Sequence, residues 1–524
     1  MRDNLHFDAQ TKLKAGIDKV AKAVGSTMGT GGNNAIIEAI ETPGYLTTND
    51  GYSIANAVLL ADPIENLGKQ ILLESINRAN KASGDGSSTT CVTTAAIIEE
   101  GLKHTADHHP MDIKRSLEAC LPLIEESLDT QTENLVKEDG TFNVERLKQV
   151  ATISAEDEEI GGTIADIYKE IGQKGIVYWD VSKTGADHYT IGSGITVEGA
   201  TFVSPYMCDA TETGQNTNAI RIKNPYILLT KQKLSSAADF DTIARALFEK
   251  DIKDLVVFVD DFEPLIVNDL ILTRAKKGFR IVLVKMPVLW KDLWYEDLSV
   301  ATGARVVDAA AGFPMKDLQF EHLGQVKNIL IDKQDTFLDG IKDVTGHINT
   351  LDDSEDSELR KARLNTKTAR YFVGAQTESA LSYRRLKVED AIAAAYQALN
   401  GGIVAGGGVA LLNVTMSLPA TVGGLILKES LKAPVKQITA NAGKKLDVDG
   451  FVSDPKRKNT YGMNSKSGEI VDMFELGIVD PKNVVLNAVK NAISVAATVL
   501  TAPTIVTLPR EENSHEPHPN LVVK

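Results

Sequence analysis

The sequence predicts a multidomain chain in which a central α/β region lies between two mainly helical regions. The chain has 524 residues, which is more than one ordinary domain holds. Apolar residues recur at helical spacing near both ends, whereas the centre carries short apolar runs separated by helical stretches. Alternation of such strands and helices is typical of an α/β domain.

The helical regions are defined by apolar side chains at the spacing of one helix face. Near the N-terminus these stripes consist of Leu13, Ile17, Val20, Ala21 and Val24, and of Leu67, Ile71, Leu72 and Ile76. Residues 33–38 and 45–48 lie between the stripes and predict short strands. Beyond Val388 the chain is again rich in Ala and Val, and one long buried helix is predicted from Val485, Val489, Ile493, Ala496 and Leu500.

The central region contains short apolar runs at residues 226–229, 255–259, 280–284 and 329–331. Most of these runs are rich in β-branched residues, and helical stretches separate several of them. We therefore expect each run to form a buried strand of an α/β domain.

The composition argues against several classes of protein. The net charge of −15 argues against nucleic acid as the main partner, because binding to phosphate backbones requires clustered Lys and Arg. No run of 18 apolar residues occurs, so no membrane span is expected, and the N-terminus lacks the apolar core of a secretion signal. The three cysteines, Cys91, Cys120 and Cys208, predict reduced thiols in a cytosol-like compartment.

The segment 84–90, GDGSSTT, places one carboxylate between two glycines and ahead of four hydroxyl side chains. Glycine lets a ligand approach the backbone closely, and a carboxylate is a hard oxygen ligand suited to Mg²⁺. Hydroxyl groups and the N–H groups of a helix start bind phosphate oxygens. The segment therefore indicates a phosphate–metal clamp, and the alternative is a Gly-Asp-Gly turn leading into an ordinary N-cap.

The segment 405–410, AGGGVA, brings three glycines to the start of an Ala/Val-rich helix. A helix N-terminus favours anions, and glycine admits a ligand to the backbone. A tight crossing of two helices would need the same small residues. Both interpretations stay open at the level of the sequence.

Three further acids, Asp50, Asp390 and Asp480, stand at turn or helix boundaries, where each alone is an ordinary cap or turn residue. Together with Asp85 they would form an acidic cluster around Mg²⁺ and a water, but the sequence alone does not bring them together. A P-loop and a complete GxGxxG are absent, so standard nucleotide-binding folds are not supported.

In combination, these motifs resemble those of the group I chaperonins of the GroEL type, essentially from end to end. Residues 84–89 are similar to the family's GDGTTT, and residues 405–411 and 388–391 match AGGGVAL and VEDA letter for letter. Residues 476–481, LGIVDP, resemble MGILDP. On these motifs the chain is identified as a divergent member of the family.

The resemblance implies a subunit of three domains. A helical equatorial ATP-binding domain would comprise residues 1–131 and 401–524, and a small intermediate domain residues 132–197 and 368–400. A nested apical α/β domain at residues 198–367 would bind polypeptides. Such subunits assemble into seven-membered rings, single or double, and we expect a cytoplasmic protein of a bacterium or of a virus-infected bacterial cell.

The resemblance also implies an ATP site with Mg²⁺, and K⁺ is a second candidate ion. Asp85 would bind Mg²⁺, Asp390 would position the attacking water, and Asp50 would be a second acid near the γ-phosphate. The remaining nucleotide contacts fall on Thr27, Met28, Gly29, Thr30, Asn49, Gly86, Ser87, Ser88, Thr89, Gly407, Asn464 and Asp480. Because Asp390 would belong to the intermediate domain, hydrolysis would require that domain to close on the site.

For unfolded polypeptide clients, the family uses apolar residues on two apical helices. The corresponding residues are Phe240, Ile243 and Leu247 on the first helix and Val267, Ile271 and Leu272 on the second. By pattern alone such stripes are typical of a core, whereas an exposed groove would bind non-native chains by burying apolar surface. A co-chaperonin of the 10 kDa type would compete for this groove.

The chain departs from the family in its phosphate loop, where LGPKGRN is replaced by MGTGGNN at residues 28–34. We expect this loop to be less rigid and less cationic. One alternative function is that of a lid-independent or group II-like chaperonin, because residues 48–51, TNDG, also resemble the group II branch. Another is a ring scaffold with little ATP turnover, against which the retention of Asp50, Asp85 and Asp390 argues.

Overall fold

The computed structural model describes residues 5–7, 10–38, 45–137, 140–182, 184–204, 207, 219–331, 335–352, 354–364 and 367–506. The chain divides into two compact units. The first unit takes in Met1–Gln173, Val177–Tyr189 and Tyr371–Val522. The second unit takes in Lys174–Ile176, Thr190–Arg370 and Val523–Lys524. The predicted split of the chain into three domains stays a prediction.

The helices are numbered in chain order. They are α1 Gln10–Gly25, α2 Gly51–Ala57, α3 Pro63–Ser83, α4 Ser87–His104, α5 Pro110–Glu118, α6 Leu121–Thr130, α7 Val144–Ala155, α8 Glu158–Ile171, α9 Asp241–Glu249, α10 Pro264–Lys277, α11 Lys291–Thr302, α12 Thr345–Ile348, α13 Glu355–Leu364, α14 Glu378–Gly401, α15 Val409–Ser417, α16 Val422–Ser430, α17 Ala433–Asn441, α18 Val448–Ser453 and α19 Lys482–Leu500.

The strands are numbered in the same way. They are β1 Leu5–Phe7, β2 Ala35–Glu38, β3 Tyr45–Thr48, β4 Ile176–Val181, β5 His188–Glu198, β6 Thr201–Phe202, β7 Ile220–Lys223, β8 Tyr226–Thr230, β9 Asp254–Val259, β10 Arg280–Lys285, β11 Val306–Val307, β12 Gly324–Gln325, β13 Asn328–Ile331, β14 Asp335–Asp339, β15 Lys367–Val373, β16 Ile403–Ala405, β17 Tyr461–Met463, β18 Ile470–Asp472, β19 Val479–Pro481 and β20 Thr504–Val506.

The first unit is a helical body in which both ends of the chain share one core. Helix α19 packs on α4 and α3, and its predicted stripe from Val485 to Leu500 is buried. The termini are also joined by strands, since β1 pairs antiparallel with β20. Among the described residues, α19 is the one helix long and apolar enough to cross a membrane, a test that the buried core helix of a globular unit also passes.

The predicted strands near the N-terminus form an antiparallel hairpin of β2 and β3, in which Ala35 is paired with Thr48. The hairpin ends next to the turn that carries Asp50. Cys91 and Cys120 are free and buried, and burial raises the pKa of the Cys91 thiol, as expected for a core residue. Cys208 lies outside the described residues.

The second unit contains a mainly parallel sheet with strand order β11–β8–β9–β10–β6. Three of the predicted central runs form β8, β9 and β10, whose adjacent pairs are parallel. Their side chains are almost all buried, as expected for a sheet covered on both faces. The α/β prediction is confirmed for these strands.

The fourth predicted run, β13, belongs to a different sheet. It pairs antiparallel with both β7 and β14, and β14 pairs antiparallel with β5. Too few positions separate β13 from β14 to hold the crossover that a parallel pair requires. The run therefore forms a strand, as predicted, and two of its four residues are buried in this antiparallel part of the fold.

Candidate functional site

The turn between α3 and α4 carries Asp85 between two glycines that no other residue type can replace without strain. Gly84 ends α3 with φ 71° and Gly86 precedes α4 with φ 90°, both in the left-handed region. A Cβ atom on Gly84 would lie 2.3 Å from the Cβ of Ala393 on α14. A Cβ on Gly86 would lie 2.8 Å from Val484 on α19. The turn is therefore wedged between α14 and α19.

The start of α4 has the features of an anion site. Its N-cap is a glycine, so no side chain caps the first N–H groups of the helix. Ser87, Ser88 and Thr89 are partly exposed, whereas Thr90 is buried and its Oγ1 donates a hydrogen bond to the carbonyl of Gly86. Three of the four hydroxyls thus remain near the helix N-terminus, where a phosphate would be bound.

Asp85 is held in a fixed orientation. The N–H of Gly86 donates to one carboxylate oxygen, and Ser154 Oγ at the end of α7 donates to the other at 3.0 Å. Burial raises the pKa of Asp85, and the negative charge of Asp50 adds to the rise. The two hydrogen bonds and the positive charge of Lys387 oppose it.

Asp390 and Asp50 lie within electrostatic reach of Asp85. Burial raises the pKa of Asp390 well above its usual value, and the charges of Asp85 and then Asp50 raise it further. Asp50 caps α2 and accepts hydrogen bonds from the N–H groups of Tyr52 and Ser53. The structure thus brings together three acids that are remote in sequence.

Magnesium fits this arrangement only with ligands beyond protein side chains. In the described part of the chain, no group of three or more His, Cys, Asp or Glu residues is placed to hold a metal ion. Mg²⁺ commonly binds through one or two carboxylates together with waters and substrate phosphates. Asp85 beside the start of α4 offers one such carboxylate next to a phosphate-binding helix end.

The triple glycine at 406–408 joins this site through Asp480. Strand β16 pairs with β19, so that Val404 faces Asp480, and the N–H of Gly407 donates to the Asp480 carboxylate. Burial, followed by the charge of Asp85, raises the pKa of Asp480 to about 7. A Cβ on Gly408 would lie 2.8 Å from Val435, so close packing also requires glycine here.

The loop that follows α1 lies against the same region. Thr27 and Met28 are buried, and Gly29 has φ 76°. A Cβ on Gly51 would lie 2.7 Å from Ser88 Oγ and 3.1 Å from Val24 on α1, so the end of α1, the Asp50 turn and the start of α4 meet.

Residues 28–34 are packed closely in spite of the missing proline. A Cβ on Gly31 would lie 2.5 Å from Ala442, and one on Gly32 would lie 2.2 Å from the carbonyl of Thr27. Asn441 Nδ2 donates to the carbonyl of Met28 at 2.9 Å. The loop is thus closely packed and carries no Lys or Arg, while its lower rigidity stays a prediction.

The structure connects Thr30 with the neighbourhood of Asn464. The hydroxyls of Thr30 and Ser465 lie 2.6 Å apart, although the two residues are far apart in sequence. The Asn464 side chain accepts from the N–H of Lys466 at 2.9 Å, which closes its own turn. The two sides of the predicted nucleotide site therefore touch at this point.

Sequence reasoning missed the residues that surround the three acids, namely Ser154, Glu156 and Lys387. Lys387 lies three positions before Asp390 on α14, which places it on the same helix face, and that spacing was a usable signal. Nothing in the sequence marks Ser154 or Glu156. Asn49, predicted to contact nucleotide, donates to Glu156 at 2.9 Å, and its contact with nucleotide stays a prediction.

The residues predicted to bind polypeptide differ in exposure between the two apical helices. Phe240, Ile243 and Leu247 are 1%, 2% and 0% exposed and belong to the core of the second unit. Their spacing is that of one buried helix face, so these three residues are not available as a binding surface here. On α10, Val267 and Ile271 are partly buried, and Leu272 is 51% exposed.

Comparison with known proteins identifies the family. The model of the TCP-1/cpn60 chaperonin family matches residues 20–288 and 280–509. The chaperonin gp146 from the bacteriophage EL 2 (Pseudomonas aeruginosa), crystallised in the presence of ATP-BeFx, resembles this chain with a TM-score of 0.68 and 18% identity, over 97% of this chain and 99% of gp146. A second crystal form of gp146 gives a TM-score of 0.63 with the same identity and coverage. The chain therefore belongs to the TCP-1/cpn60 chaperonin family.

Proposed function

We propose that this protein is an ATP-dependent chaperone that binds non-native polypeptides and releases them in a cycle driven by ATP hydrolysis. One observation carries the proposal: Asp85, Asp50 and Asp390 come together beside a glycine-capped helix start. Family membership supports the chaperone function. The gathered acids favour a working ATPase over a scaffold that has lost ATP turnover.

The nucleotide would lie with its phosphates at the start of α4. The free N–H groups of the first turn and the hydroxyls of Ser87, Ser88 and Thr89 would bind phosphate oxygens. Gly29 and Gly407 would allow close approach on either side, with Asp480 and Asn464 toward the sugar and base.

Asp85 would hold Mg²⁺, which, when bound, offsets the charge of the transferring phosphoryl group. Asp390 would orient the attacking water and accept its proton, and the acids around it oppose its ionisation in the free protein. Asp50 is fixed by two backbone N–H groups and would stand as the second acid. Lys387 provides a positive charge close to these carboxylates.

Client binding would use the exposed side of α10. Leu265 and Leu272 are 76% and 51% exposed there, and Phe248 at the end of α9 is 76% exposed. Burial of such side chains is worth about 25 cal/mol per Å², which is enough for binding that depends little on sequence. Val267 and Ile271 would form the base of this surface.

We further propose that the protein works in the cytoplasm of a bacterium or of a virus-infected bacterial cell, as a homo-oligomeric ring. A 10 kDa-type co-chaperonin is the proposed partner. A lid-independent or group II-like cycle is the second candidate, on the observation that residues 48–51 read TNDG.

The test is ATP-dependent release of a chemically denatured client. The purified protein should suppress light scattering by the diluted client, and adding Mg²⁺ with ATP should release the client. A non-hydrolysable analogue serves as the control and should not support repeated cycles. A protein that neither suppresses aggregation nor hydrolyses ATP would contradict the proposed function.

A further inference from the structure

Glu156 adopts a backbone conformation that its residue type disfavours. It follows the last residue of α7 with φ 57° and ψ 22°, in the left-handed region. Such a conformation is unfavourable for a residue with a Cβ atom, and it persists where surrounding contacts fix it.

The Glu156 carboxylate joins two segments that carry predicted catalytic acids. Asn49 Nδ2 donates to Glu156 Oε1 at 2.9 Å, and Lys387 Nζ donates to the same oxygen at 2.8 Å. Asn49 directly precedes Asp50. Lys387 lies one helical turn before Asp390 on α14.

The third acid is reached from the same turn of the chain. Ser154, two residues before Glu156, donates its hydroxyl hydrogen bond to Asp85 at 3.0 Å. The segment 154–156 thus contacts the three acid-bearing segments, each of which comes from a different part of the sequence.

Loss of the ion pair between Lys387 and Glu156 would be unfavourable because Lys387 is buried. Its side chain is only 8% exposed, whereas that of Glu156 is 46% exposed. Burial alone would lower the pKa of Lys387, but the Glu156 carboxylate, followed by smaller effects of Tyr383 and Asp390, raises it, and the net pKa is raised. Without Glu156, a buried ammonium group would lose its hydrogen-bonded partner and would move.

We propose that the turn 154–156 is a positioning element for ATP hydrolysis, in which Glu156, through Asn49 and Lys387, sets the places of Asp50 and Asp390 relative to Asp85. This inference rests on the proposed ATPase function. Glu156 is a positioning residue, since it acts through other side chains. In this left-handed conformation, Glu156 Oε1 accepts hydrogen bonds from both partners.

The first experiment compares Glu156→Gly with Glu156→Gln in the full-length protein. Glycine removes the carboxylate and suits the left-handed backbone, and we expect kcat for ATP to fall about tenfold or more, with a smaller change in KM. Glutamine keeps an oxygen acceptor at the same place and should recover most of that loss. A role in stability alone would not produce this split between kcat and KM.

The matched control is Asp251→Gly. Asp251 is also an exposed acid in the left-handed region, with φ 53°, and it lies in the second unit. Asp251→Gly should retain the kcat of the unchanged protein. This control distinguishes the loss of the Glu156 contacts from the relief of backbone strain, which both glycine variants share.

A double-mutant cycle of Asn49→Ala and Glu156→Ala, in which each change removes one partner of their hydrogen bond, keeps the test decisive if the glycine variant fails to fold. We expect the two changes to be non-additive in kcat by about threefold or more. Additive effects, or Glu156→Gly with unchanged kcat, would overturn the inference. If the unchanged protein itself did not hydrolyse ATP, the proposed function would fall and this inference with it.

Discussion

At the scale of single residues, the site is governed by partly buried carboxylates that lie near one another. Burial raises the pKa of Asp85, Asp390 and Asp480, and the charge of Asp85 contributes to the rise at the other two. Such shifts are typical of functional sites, where a cost in stability is retained for chemistry. We therefore expect a measurable gain in stability when one of these charges is removed.

Asp480→Asn tests this cost through the dependence of stability on pH. The pKa of Asp480 is about 7 in the folded protein, whereas its ordinary value is 3.8. The folded state therefore binds the proton more tightly than the unfolded state does. As the pH rises from 3.8 to about 7, the folded protein loses stability. Below pH ~4 the variant and the unchanged protein should unfold alike, since both side chains are then neutral. Above pH ~7 the variant should be more stable by up to about 4 kcal/mol.

Thermal unfolding at several pH values measures this difference, and Asp472→Asn provides a control of opposite sign. Burial alone would raise the pKa of Asp472, but hydrogen bonds from Thr460, Glu475 and Phe474 outweigh it and lower the pKa. That variant should be less stable near neutral pH, and its deficit should vanish as pH falls through the lowered pKa of Asp472. If Asp480→Asn were more stable than the unchanged protein by the same amount at every pH, Asp480 would not have a raised pKa in the folded protein.

At the scale of elements, the α3–α4 turn holds the site because helices pack against it on two sides. Gly84→Ala would add a left-handed strain and a Cβ at 2.3 Å from Ala393. We expect a loss of about 2–3 kcal/mol in the free energy of unfolding and a lower rate of ATP hydrolysis.

Gly278→Ala is the matched control for this change. Gly278 ends α10 with φ 66°, and among the described residues no atom lies within 4 Å of where its Cβ would stand. Gly278→Ala should lower the free energy of unfolding by only about 1 kcal/mol, because it adds only the strain of the left-handed backbone. Equal losses in the two variants, measured by denaturant unfolding, would show that contact with α14 does not matter.

The two apical helices give another prediction at this scale. Leu272→Asp, at an exposed position on α10, should weaken capture of a denatured client several-fold while leaving unfolding and ATP turnover nearly unchanged. Phe240→Asp should instead destabilise the second unit, since Phe240 is 1% exposed in its core. Client binding by light scattering and thermal unfolding separate the two effects, and unchanged capture by Leu272→Asp would mean that α10 is not the binding surface.

The positions of helices and strands could be predicted from the sequence better than the segments against which they pack. Periodicity located the core helices and the strands β8, β9 and β10, because those patterns are local. The pairing of β13 with β7 and the burial of Phe240 depend on contacts between distant segments, which a pattern does not contain. The same holds for the site: the motif around Asp85 was visible, whereas Ser154 and Glu156 are defined only by what the fold brings near them.

At the scale of the whole molecule, a unit assembled from both chain ends carries the candidate ATP site. Its core joins α1, α3 and α4 with α19, and the paired strands β1 and β20 tie the termini together. The acids come from the turn before α2, the turn before α4, α14 and β19, so the site exists only when this unit is folded. Activity and folding of the unit should therefore be lost together on heating.

The most direct test of the proposed ATPase is the rate of Mg²⁺-dependent ATP hydrolysis by the purified protein and by Asp390→Ala. Glu389→Ala, an exposed neighbour on α14, serves as the control. We predict that Asp390→Ala binds ATP about as tightly as the unchanged protein but hydrolyses it at least about 100-fold more slowly, while Glu389→Ala hydrolyses it normally. Hydrolysis by Asp390→Ala at the rate of the unchanged protein would contradict the assignment of this site.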